Sequence, residues 1–392
     1  MKKIRPIAIY LPQYHPFKEN NEWWGEGFTE WTNVVKGTPR FNGHYQPHLP
    51  ADLGFYDLRL PEVREKQARM AKDYGIYGFC YYHYWFNGKL LMERPLSEVL
   101  ELGKPDFPFC MCWANENWTR SWDGAEKQVL IKQEYSVEDD IAHIKYLLKY
   151  FKDPRYIRID GKPVFIIYKE DVLPNVKDTI RVFREEARKE GIDLYLCCFE
   201  RCSQISEKNL MVYGFDAMIE FQPFSTTFAK YEQDLLQLSL WERIVKKVKK
   251  EICRMINIEF VRKDRIVDYE KFIKYDIELF KPDRKCYPCV LPMWDNSARR
   301  PQNMATIFKN STPALFEWWC RMKIKLFNPF SKEENLFFIT TKLLIFFNFD
   351  AVLATKAIVI YTNCHFSAAN FQQVIFRKGT MTHAKGSVEN CF

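Results

Sequence analysis

Phe107-Pro-Phe-Cys-Met-Cys112 runs directly into Trp113-Ala-Asn-Glu116-Asn-Trp118, so an apolar segment of strand length ends in a polar loop with tryptophans and a carboxylate. A segment that is apolar at nearly every position is typical of a strand buried on both faces, as in a parallel sheet. Together with Trp122, the loop places three indole rings within ten residues, which core packing alone does not easily explain. An aromatic loop that packs only on itself is the alternative.

Seven further apolar runs of similar length recur along the chain. With residues 107–112 they make eight predicted strands, at residues 4–11, 76–82, 107–112, 163–168, 194–199, 217–221, 287–293 and 335–339. Helical patterns lie between strands at residues 61–74, 137–151 and 176–190. This alternation predicts an α/β fold, a (β/α)8 TIM-type barrel with long loops after strand 1 (residues 12–60) and strand 6 (residues 222–285).

Composition fits one large globular domain and argues against several classes of protein. The 392 residues are 47% apolar, and Lys246-Lys-Val-Lys-Lys250 contributes much of the formal charge of +8. This basic segment is either a solvated helix face or a contact for anionic lipid or phosphate. Met1-Lys-Lys-Ile-Arg-Pro6 leads straight into the first strand-length run, so we expect no secretory signal. We also find no apolar run of membrane-spanning length and no nucleic-acid-binding motif in these residues. We expect a cytoplasmic protein, with any membrane contact peripheral at the inner face.

Polar and aromatic residues lie at or just after the carboxyl ends of the predicted strands, the end of the barrel where such folds carry their active sites. Carboxylates that hold hydroxyl groups or transfer protons, with rings that stack on a pyranose, are the chemistry of a carbohydrate cleft. We therefore predict catalytic carboxylates at Glu116, Glu220 and Asp295. We predict a substrate-binding surface formed by Tyr10, Gln13, Tyr14, His15, Trp24, Glu26, Glu30, Trp31, His83, Trp85, Trp113, Asn115, Trp118 and Trp294.

Two parts of this surface have a competing structural interpretation. Gly25 and Gly27 predict a loop that lays Trp23, Trp24 and Trp31 over the barrel mouth, either to contact sugar or as a lid packed on itself. For His83, the alternative is a core histidine that bonds a backbone group.

Other kinds of catalytic site are disfavoured. His44 and His48 have the spacing of a helical zinc pair, but Pro47 between them breaks such a helix, so we expect no metal and no cofactor. A Gly-x-Ser-x-Gly elbow, a Walker loop and a dinucleotide fingerprint are all missing from the sequence.

Five longer motifs carry a resemblance to a known family: Ile7-Ala-Ile-Tyr-Leu-Pro-Gln-Tyr-His-Pro16, Trp24-Gly-Glu-Gly-Phe-Thr-Glu-Trp-Thr-Asn33, Gly78-Phe-Cys-Tyr-Tyr-His-Tyr-Trp85, Cys112-Trp-Ala-Asn-Glu-Asn-Trp118 and Trp294-Asp-Asn-Ser-Ala-Arg299. In these motifs the chain resembles the WbsX family, glycosyltransferases of bacterial surface-polysaccharide and O-antigen gene clusters that are related to family 99 glycoside hydrolases. The resemblance implies a (β/α)8 barrel that acts on a mannose-like or other hexose polymer. We expect a carbohydrate substrate, with a nucleotide sugar and a lipid-linked acceptor as further partners.

The resemblance ends where the hydrolase relatives carry their catalytic pair. Those relatives have a Trp-Asn-Glu-Trp-x-Glu motif just after the last barrel strand, whereas this chain continues Thr340-Thr-Lys-Leu-Leu-Ile-Phe-Phe-Asn-Phe-Asp350. The acidic residues from Thr340 onward are Asp350 and Glu389. We therefore expect a barrel domain at residues 1–339 and an atypical tail at residues 340–392. Our hypothesis is that the reading frame shifts near codon 339, and a naturally diverged tail is the alternative.

The missing motif leaves enzymatic activity open. Retaining chemistry needs two carboxyl groups roughly 5–5.5 Å apart across the anomeric carbon. Our primary hypothesis is a glycosyltransferase-like protein of surface-polysaccharide biosynthesis. The alternatives are an endo-acting hydrolase of α-linked, mannose-like glycans and a catalytically impaired glycan-binding protein.

Overall fold

The computed structural model describes residues 4–120, 125–201, 210–236, 263–281, 285–331 and 334–340, together with residues 244, 245, 248 and 251. Within these residues, eight segments form parallel strands in the predicted positions. They are β1 (Ile4–Tyr10), β2 (Gly78–Phe86), β3 (Phe109–Trp113), β4 (Lys162–Ile167), β5 (Tyr195–Glu200), β6 (Ala217–Glu220), β7 (Cys286–Tyr287 and Cys289–Val290) and β8 (Asn335–Ile339).

The two ends of the sheet meet at β7. Cys286 in its first half pairs with Met218 of β6, and Cys289 in its second half pairs with Phe338 of β8. The other neighbours are β6 with β5, β5 with β4, β4 with β3, β3 with β2, β2 with β1, and β1 with β8. The expected (β/α)8 TIM-type barrel is confirmed.

Helices connect the strands. They are α1 (Lys18–Trp24), α2 (Glu30–Val35), α3 (Pro61–Asp73), α4 (Arg94–Glu101), α5 (Val137–Phe151), α6 (Val176–Lys189), α7 (Thr226–Leu236), α8 (Tyr269–Glu278) and α9 (Pro313–Leu326). Three of them, α3, α5 and α6, are the helices that the sequence predicted. The predicted serine cap of α5 is present, because the Ser136 hydroxyl accepts a hydrogen bond from the Asp139 amide at 3.1 Å.

The long connection after β1 differs from the predicted loop. Trp24 ends α1 and Trp31 lies in α2, while Gly25 and Gly27, with φ of 101° and 75°, form the turn between the two helices. The missed signal was Thr29, whose hydroxyl accepts a hydrogen bond from the Trp31 amide at 3.2 Å and starts α2 directly after the glycines. Trp23 also lies in α1, so the loop prediction was wrong for all three tryptophans.

Short strands decorate the barrel at Lys89–Leu91, Trp118–Arg120, Ala125–Ile131, Arg158–Ile159, Arg265–Asp268 and Thr306–Lys309. In the described part of the chain, no helix is long and apolar enough to cross a membrane. Trp122, the four lysines between positions 246 and 250, and the tail from residue 341 lie outside the described residues.

Candidate functional site

A cavity of about 250 Å³ lies at the carboxyl ends of the barrel strands. Among the described residues, the wall is formed by residues in or just after seven of the eight barrel strands, all but β5. They include Ile9, Leu11, Gln13, Tyr82, Tyr84, Glu116, Trp118, Tyr168, Phe221, Phe224, Trp294, Arg299, Arg300 and Thr340. This is the end at which barrels of this type position reactive groups, and we call this cavity the cleft.

Strand alternation decides which side chains of β2 face the cleft. Tyr82 and Tyr84 line it, whereas His83 and Trp85 point to the opposite face and pack against α5. His83 Nε2 lies 3.0 Å from Nε2 of His143, and burial lowers the pKa of His83 to about 3. The structural interpretation of His83, as a neutral core residue, is the one that this geometry favours, although its partner is a side chain rather than a backbone group.

Three of the predicted tryptophans are buried in the core rather than at the cleft. The Trp31 indole donates to the Tyr56 carbonyl at 2.8 Å, that of Trp85 to Asp139 at 2.9 Å and that of Trp113 to the Trp85 carbonyl at 3.2 Å. An indole whose single donor is satisfied inside the protein acts as a packing residue. Trp118 and Trp294 line the cleft, and Trp24 packs beside Phe28, with the ring centroids 5.9 Å apart.

The loop after β3 brings Glu116 to the cleft. Asn115 positions this loop, since its fully buried side chain donates to the Lys169 carbonyl at 2.7 Å and accepts from the Lys169 amide at 2.8 Å. The Glu116 side chain is 46% exposed, and its carboxylate lies 3.8 Å from the Lys169 ammonium. Of the three predicted catalytic carboxylates, Glu116 is the one that lines the cleft.

Glu220 lies behind the cleft wall, in a buried cluster of charges. Its carboxylate accepts from the Lys323 ammonium at 2.6 Å and from the Cys289 amide at 3.0 Å, and Lys323 also lies 2.9 Å from Asp276. Burial raises the pKa of Glu220 to about 7, against the attraction of Lys323. The structure thus joins Glu220 to α9, while its chain neighbour Phe221 lines the cleft.

Asp295 is also held behind the wall. Its carboxylate lies 2.7 Å from His44 Nε2 and 3.4 Å from His48 Nε2, and accepts hydrogen bonds from Gln46 and from the Ser297 amide. Burial alone would raise the pKa of Asp295, but the hydrogen bonds from His48, Ser297 and His44 outweigh it and hold the pKa below its usual range. The two histidines singled out by their spacing therefore meet this carboxylate.

Arg299 connects the cleft to the insertion after β1. Its guanidinium is paired with Glu30, which is 1% exposed, and donates to the Gln13 side chain at 3.2 Å. Gln13 lines the cleft, whereas Glu30 contacts Arg299 from behind the cleft wall. Sequence reasoning missed Arg299 and Arg300, although Arg299 ends one of the five family motifs.

The remaining predicted residues lie away from the cleft. The Tyr10 hydroxyl donates to Gln67 of α3 at 2.7 Å, and Tyr14 packs against Trp31 with the ring centroids 4.8 Å apart. His15 is 2% exposed, and burial lowers its pKa to about 4. Glu26 accepts from Asn21 at 3.0 Å on an exposed turn. The structure does not bring these four side chains to the cavity wall.

The cleft combines aromatic faces, neutral phenols and charges of both signs. Tyr84 packs on Trp118 with the ring centroids 5.2 Å apart, and Tyr82 on Tyr168 at 5.8 Å. Burial raises the pKa of Tyr82 and Tyr84, so both hydroxyls stay protonated near neutral pH. The aromatic rings can stack on the apolar face of a sugar ring. The carboxylate, the phenol hydroxyls and the guanidinium groups can form hydrogen bonds with its hydroxyl groups.

Comparison with known proteins gives matches over most of the chain. Residues 6–341 match the family model described as Glycosyltransferase WbsX. Two curated proteins, both described as uncharacterized protein WxcX, from two strains of Xanthomonas campestris pv. campestris, are 38% identical over 314 residues. The matched region is 80% of this chain and 42% of each relative, so the chain spans about two fifths of their length.

Two solved structures share the fold. A GH99 endo-alpha-mannosidase from Bacteroides thetaiotaomicron has 14% sequence identity and a TM-score of 0.50, over 87% of this chain and 85% of that chain. A protein described as glycoside hydrolase-like has 14% identity and a TM-score of 0.50, over 88% and 85% of the two chains. At this identity, the likeness supports the barrel fold alone.

Proposed function

Because the chain belongs to the WbsX glycosyltransferase family, we propose that its cleft binds a saccharide and acts on a glycosidic bond in the assembly of a bacterial surface polysaccharide, such as an O-antigen or capsule. The observation that carries this proposal is the meeting of Glu116, Trp118 and Trp294 at one cavity on the carboxyl end of the barrel. Family membership and the shared fold support the broader conclusion that the protein processes glycans.

In this proposal each group of cleft residues has a role that follows from its chemistry. Trp118 and Trp294 present indole faces on which a pyranose ring stacks. Tyr82 and Tyr84, kept protonated by burial, donate hydrogen bonds to ring or hydroxyl oxygens. Glu116 accepts hydrogen bonds from sugar hydroxyls and is the group best placed to take or give a proton.

A second carboxyl group is needed for retaining chemistry. Among the described residues that line the cleft, Glu116 is the one carboxylate, because Glu220 and Asp295 are engaged behind the wall by Lys323 and by two histidines. This observation favours a second candidate function, a glycan-binding protein with little turnover. An endo-acting hydrolase of α-linked glycans, the activity named for one fold relative, is the third candidate.

Product analysis separates these candidates. The protein is incubated with a preformed oligosaccharide, with and without a nucleotide sugar, and the products are resolved by mass spectrometry. Lengthened oligosaccharide that depends on the nucleotide sugar is the result expected for a transferase. Shortened oligosaccharide without any donor refutes transfer in favour of hydrolysis. Binding by calorimetry with neither product supports the binding protein.

The proposal also includes an acceptor that is anchored in the membrane. A lipid-linked glycan acceptor would bring the protein to the inner face of the membrane, and the lysines at positions 246, 247, 249 and 250 supply positive charge for it. Sedimentation with vesicles that contain anionic lipid is expected to show binding that weakens as salt is raised. Binding that ignores both salt and lipid charge would remove this part of the proposal.

A further inference from the structure

Part of the insertion after β1 is hydrogen-bonded to the segment that follows β7, 249 to 257 positions later in the chain. The Arg40 guanidinium donates to the Ser297 carbonyl at 2.9 Å. The Gln46 side chain donates to the Ser297 hydroxyl at 3.1 Å and to the Asp295 carboxylate. The later segment, residues 294–300, supplies part of the cleft wall, so these contacts support that wall from behind.

His44 makes the contact of this set in which the position of the proton is defined. Its Nδ1 accepts a hydrogen bond from the Arg40 amide at 3.0 Å, so this nitrogen carries no proton. The one proton of the neutral imidazole is then on Nε2, which donates to the Asp295 carboxylate at 2.7 Å. The Phe41 ring stacks on the imidazole, with the ring centroids 4.7 Å apart and the planes 7° apart. These contacts fix both the tautomer and the orientation of the ring.

An aspartate beside a histidine can also activate a general base, but this pair lacks the free nitrogen that a base needs. Both ring nitrogens of His44 are occupied by protein groups, and the side chains of His44 and Asp295 are only 5% and 3% exposed. Within the part of the chain that the structure describes, no group of His, Cys, Asp and Glu is arranged to hold a metal ion. The geometry of the pair therefore fits a positioning role.

Asp295 connects this contact to Trp294, its neighbour in the chain. The Trp294 carbonyl accepts a hydrogen bond from the Phe308 amide at 2.7 Å. The Trp294 ring packs edge-on against Phe224, which also lines the cleft, with the ring centroids 5.2 Å apart. The backbone that carries the indole is thus held by Phe308 and, through the Asp295 carboxylate, by His44.

We propose that His44 is a positioning residue for the cleft: as a neutral imidazole with its proton on Nε2, it holds the Asp295 carboxylate and so keeps Trp294 in place for a saccharide ring. This inference rests on the proposed function, since the ligand is the saccharide of the same site. Groups that support contact residues from behind keep them in the geometry that binding needs. The insertion after β1 thereby contributes to recognition without touching the ligand.

Two amide substitutions of His44 separate its two hydrogen bonds. The longer side chain of His44→Gln still reaches Asp295 with an N–H donor, whereas the shorter side chain of His44→Asn replaces only the Nδ1 acceptor. We expect saccharide affinity, measured by calorimetry, to fall about tenfold in His44→Asn, in line with loss of a charged hydrogen bond. His44→Gln should stay within about threefold of the unsubstituted protein. Because both variants carry a neutral amide, each is the matched control for the other.

A double-mutant cycle tests whether His44 acts through the carboxylate. In an Asp295→Asn background, His44→Asn should change the affinity by less than about twofold, because the charged acceptor is already gone. An equal loss in both backgrounds would overturn the proposal. The ¹⁵N spectrum of the folded protein near neutral pH should show His44 protonated at Nε2 alone, with its signals identified by their loss in His44→Gln. A ring protonated at Nδ1 would also overturn it.

Amide hydrogen exchange reports on the wall itself, without a ligand. Exchange in residues 294–300 should become faster in His44→Asn and stay unchanged in His44→Gln. Unchanged exchange in His44→Asn, or saccharide binding that this variant fully retains, would overturn the positioning role and leave the proposed function standing. Failure of the unsubstituted protein to bind any saccharide would count against both.

Discussion

The three carboxylates predicted as catalytic have the same chemistry but different surroundings. Glu116 is half-exposed at the cleft, whereas Glu220 and Asp295 are buried and bound by neighbouring side chains. The sequence placed all three at the carboxyl ends of barrel strands, and the structure has them at that end of the barrel: Glu220 is the last residue of β6, and the other two follow β3 and β7. It could not tell which would meet solvent, because Lys323, His44 and His48 reach them from distant parts of the chain.

Glu116→Gln tests the role of the exposed carboxylate. The amide keeps the shape but loses the negative charge, so we expect saccharide affinity, measured by calorimetry, to fall about tenfold, in line with loss of a charged hydrogen bond. Folding should be unaffected because the side chain is 46% exposed. The control is Glu134→Gln, at an exposed carboxylate outside the cleft lining. Equal loss in both variants would argue against a specific role for Glu116.

Lys323→Met tests the buried charge cluster. Removing the ammonium leaves Glu220 and Asp276 buried without their cation, which should cost about 3–5 kcal/mol in the free energy of unfolding. Lys325→Met, at an exposed position of the same helix, is the control.

The loss should depend on pH. The folded pKa of Glu220 is about 7, above its ordinary value, so its contribution to stability is fully present below that ordinary value and is lost as pH rises through about 7. Without Lys323 the pKa rises further, so denaturant titration should show a larger defect at pH 8 than at pH 5. A defect that is equal at both pH values would contradict this account of the cluster.

At the scale of the strand, side-chain alternation decides function. The strands and the helices α3, α5 and α6 could be predicted from apolar runs and caps, because these signals are local. The sequence could not predict which side chains of β2 point into the barrel, because both faces of a barrel strand are buried. In Gly78–Phe86, aromatic residues lie on both faces. Sequence reasoning consequently chose His83 and Trp85, whereas Tyr82 and Tyr84 line the cleft.

Neighbouring substitutions on β2 should therefore have opposite effects. Tyr84→Ala removes the ring that packs on Trp118, so saccharide affinity should fall about 3–10-fold. The free energy of unfolding should change less than in the His83 variant. His83→Ala leaves a hole beside His143 and Trp85, so stability should fall by about 2–5 kcal/mol, while the folded fraction binds saccharide normally. Denaturant titration measures the stability of both variants, and calorimetry measures their saccharide affinity. The reverse pattern would show that the assignment of faces is wrong.

At the scale of the whole molecule, the barrel closes through β8, and Thr340 directly after it lines the cleft. The segment that follows, residues 341–392, lies outside the described residues. The resemblance drawn from the sequence motifs implies a Trp-Asn-Glu-Trp-x-Glu motif at this position, directly after the last barrel strand. We propose the boundary after residue 339 as the end of the barrel domain and a frame change near codon 339 as the origin of the tail.

The coding DNA tests this origin. We expect one of the other two reading frames beyond codon 339 to encode Trp-Asn-Glu-Trp-x-Glu. A gene that restores this frame should yield a protein with measurable turnover, because the second carboxyl group then returns to the cleft. Absence of the motif from both frames would favour natural divergence and strengthen the glycan-binding interpretation.

The central claim is that the cleft at the carboxyl end of the barrel binds a saccharide. A crystal structure with a bound oligosaccharide tests this claim most directly. We predict a pyranose ring in contact with Trp118 and Trp294, with the Glu116 carboxylate within about 3.2 Å of a sugar hydroxyl. A saccharide bound at another surface, with the cleft unoccupied, would contradict the account.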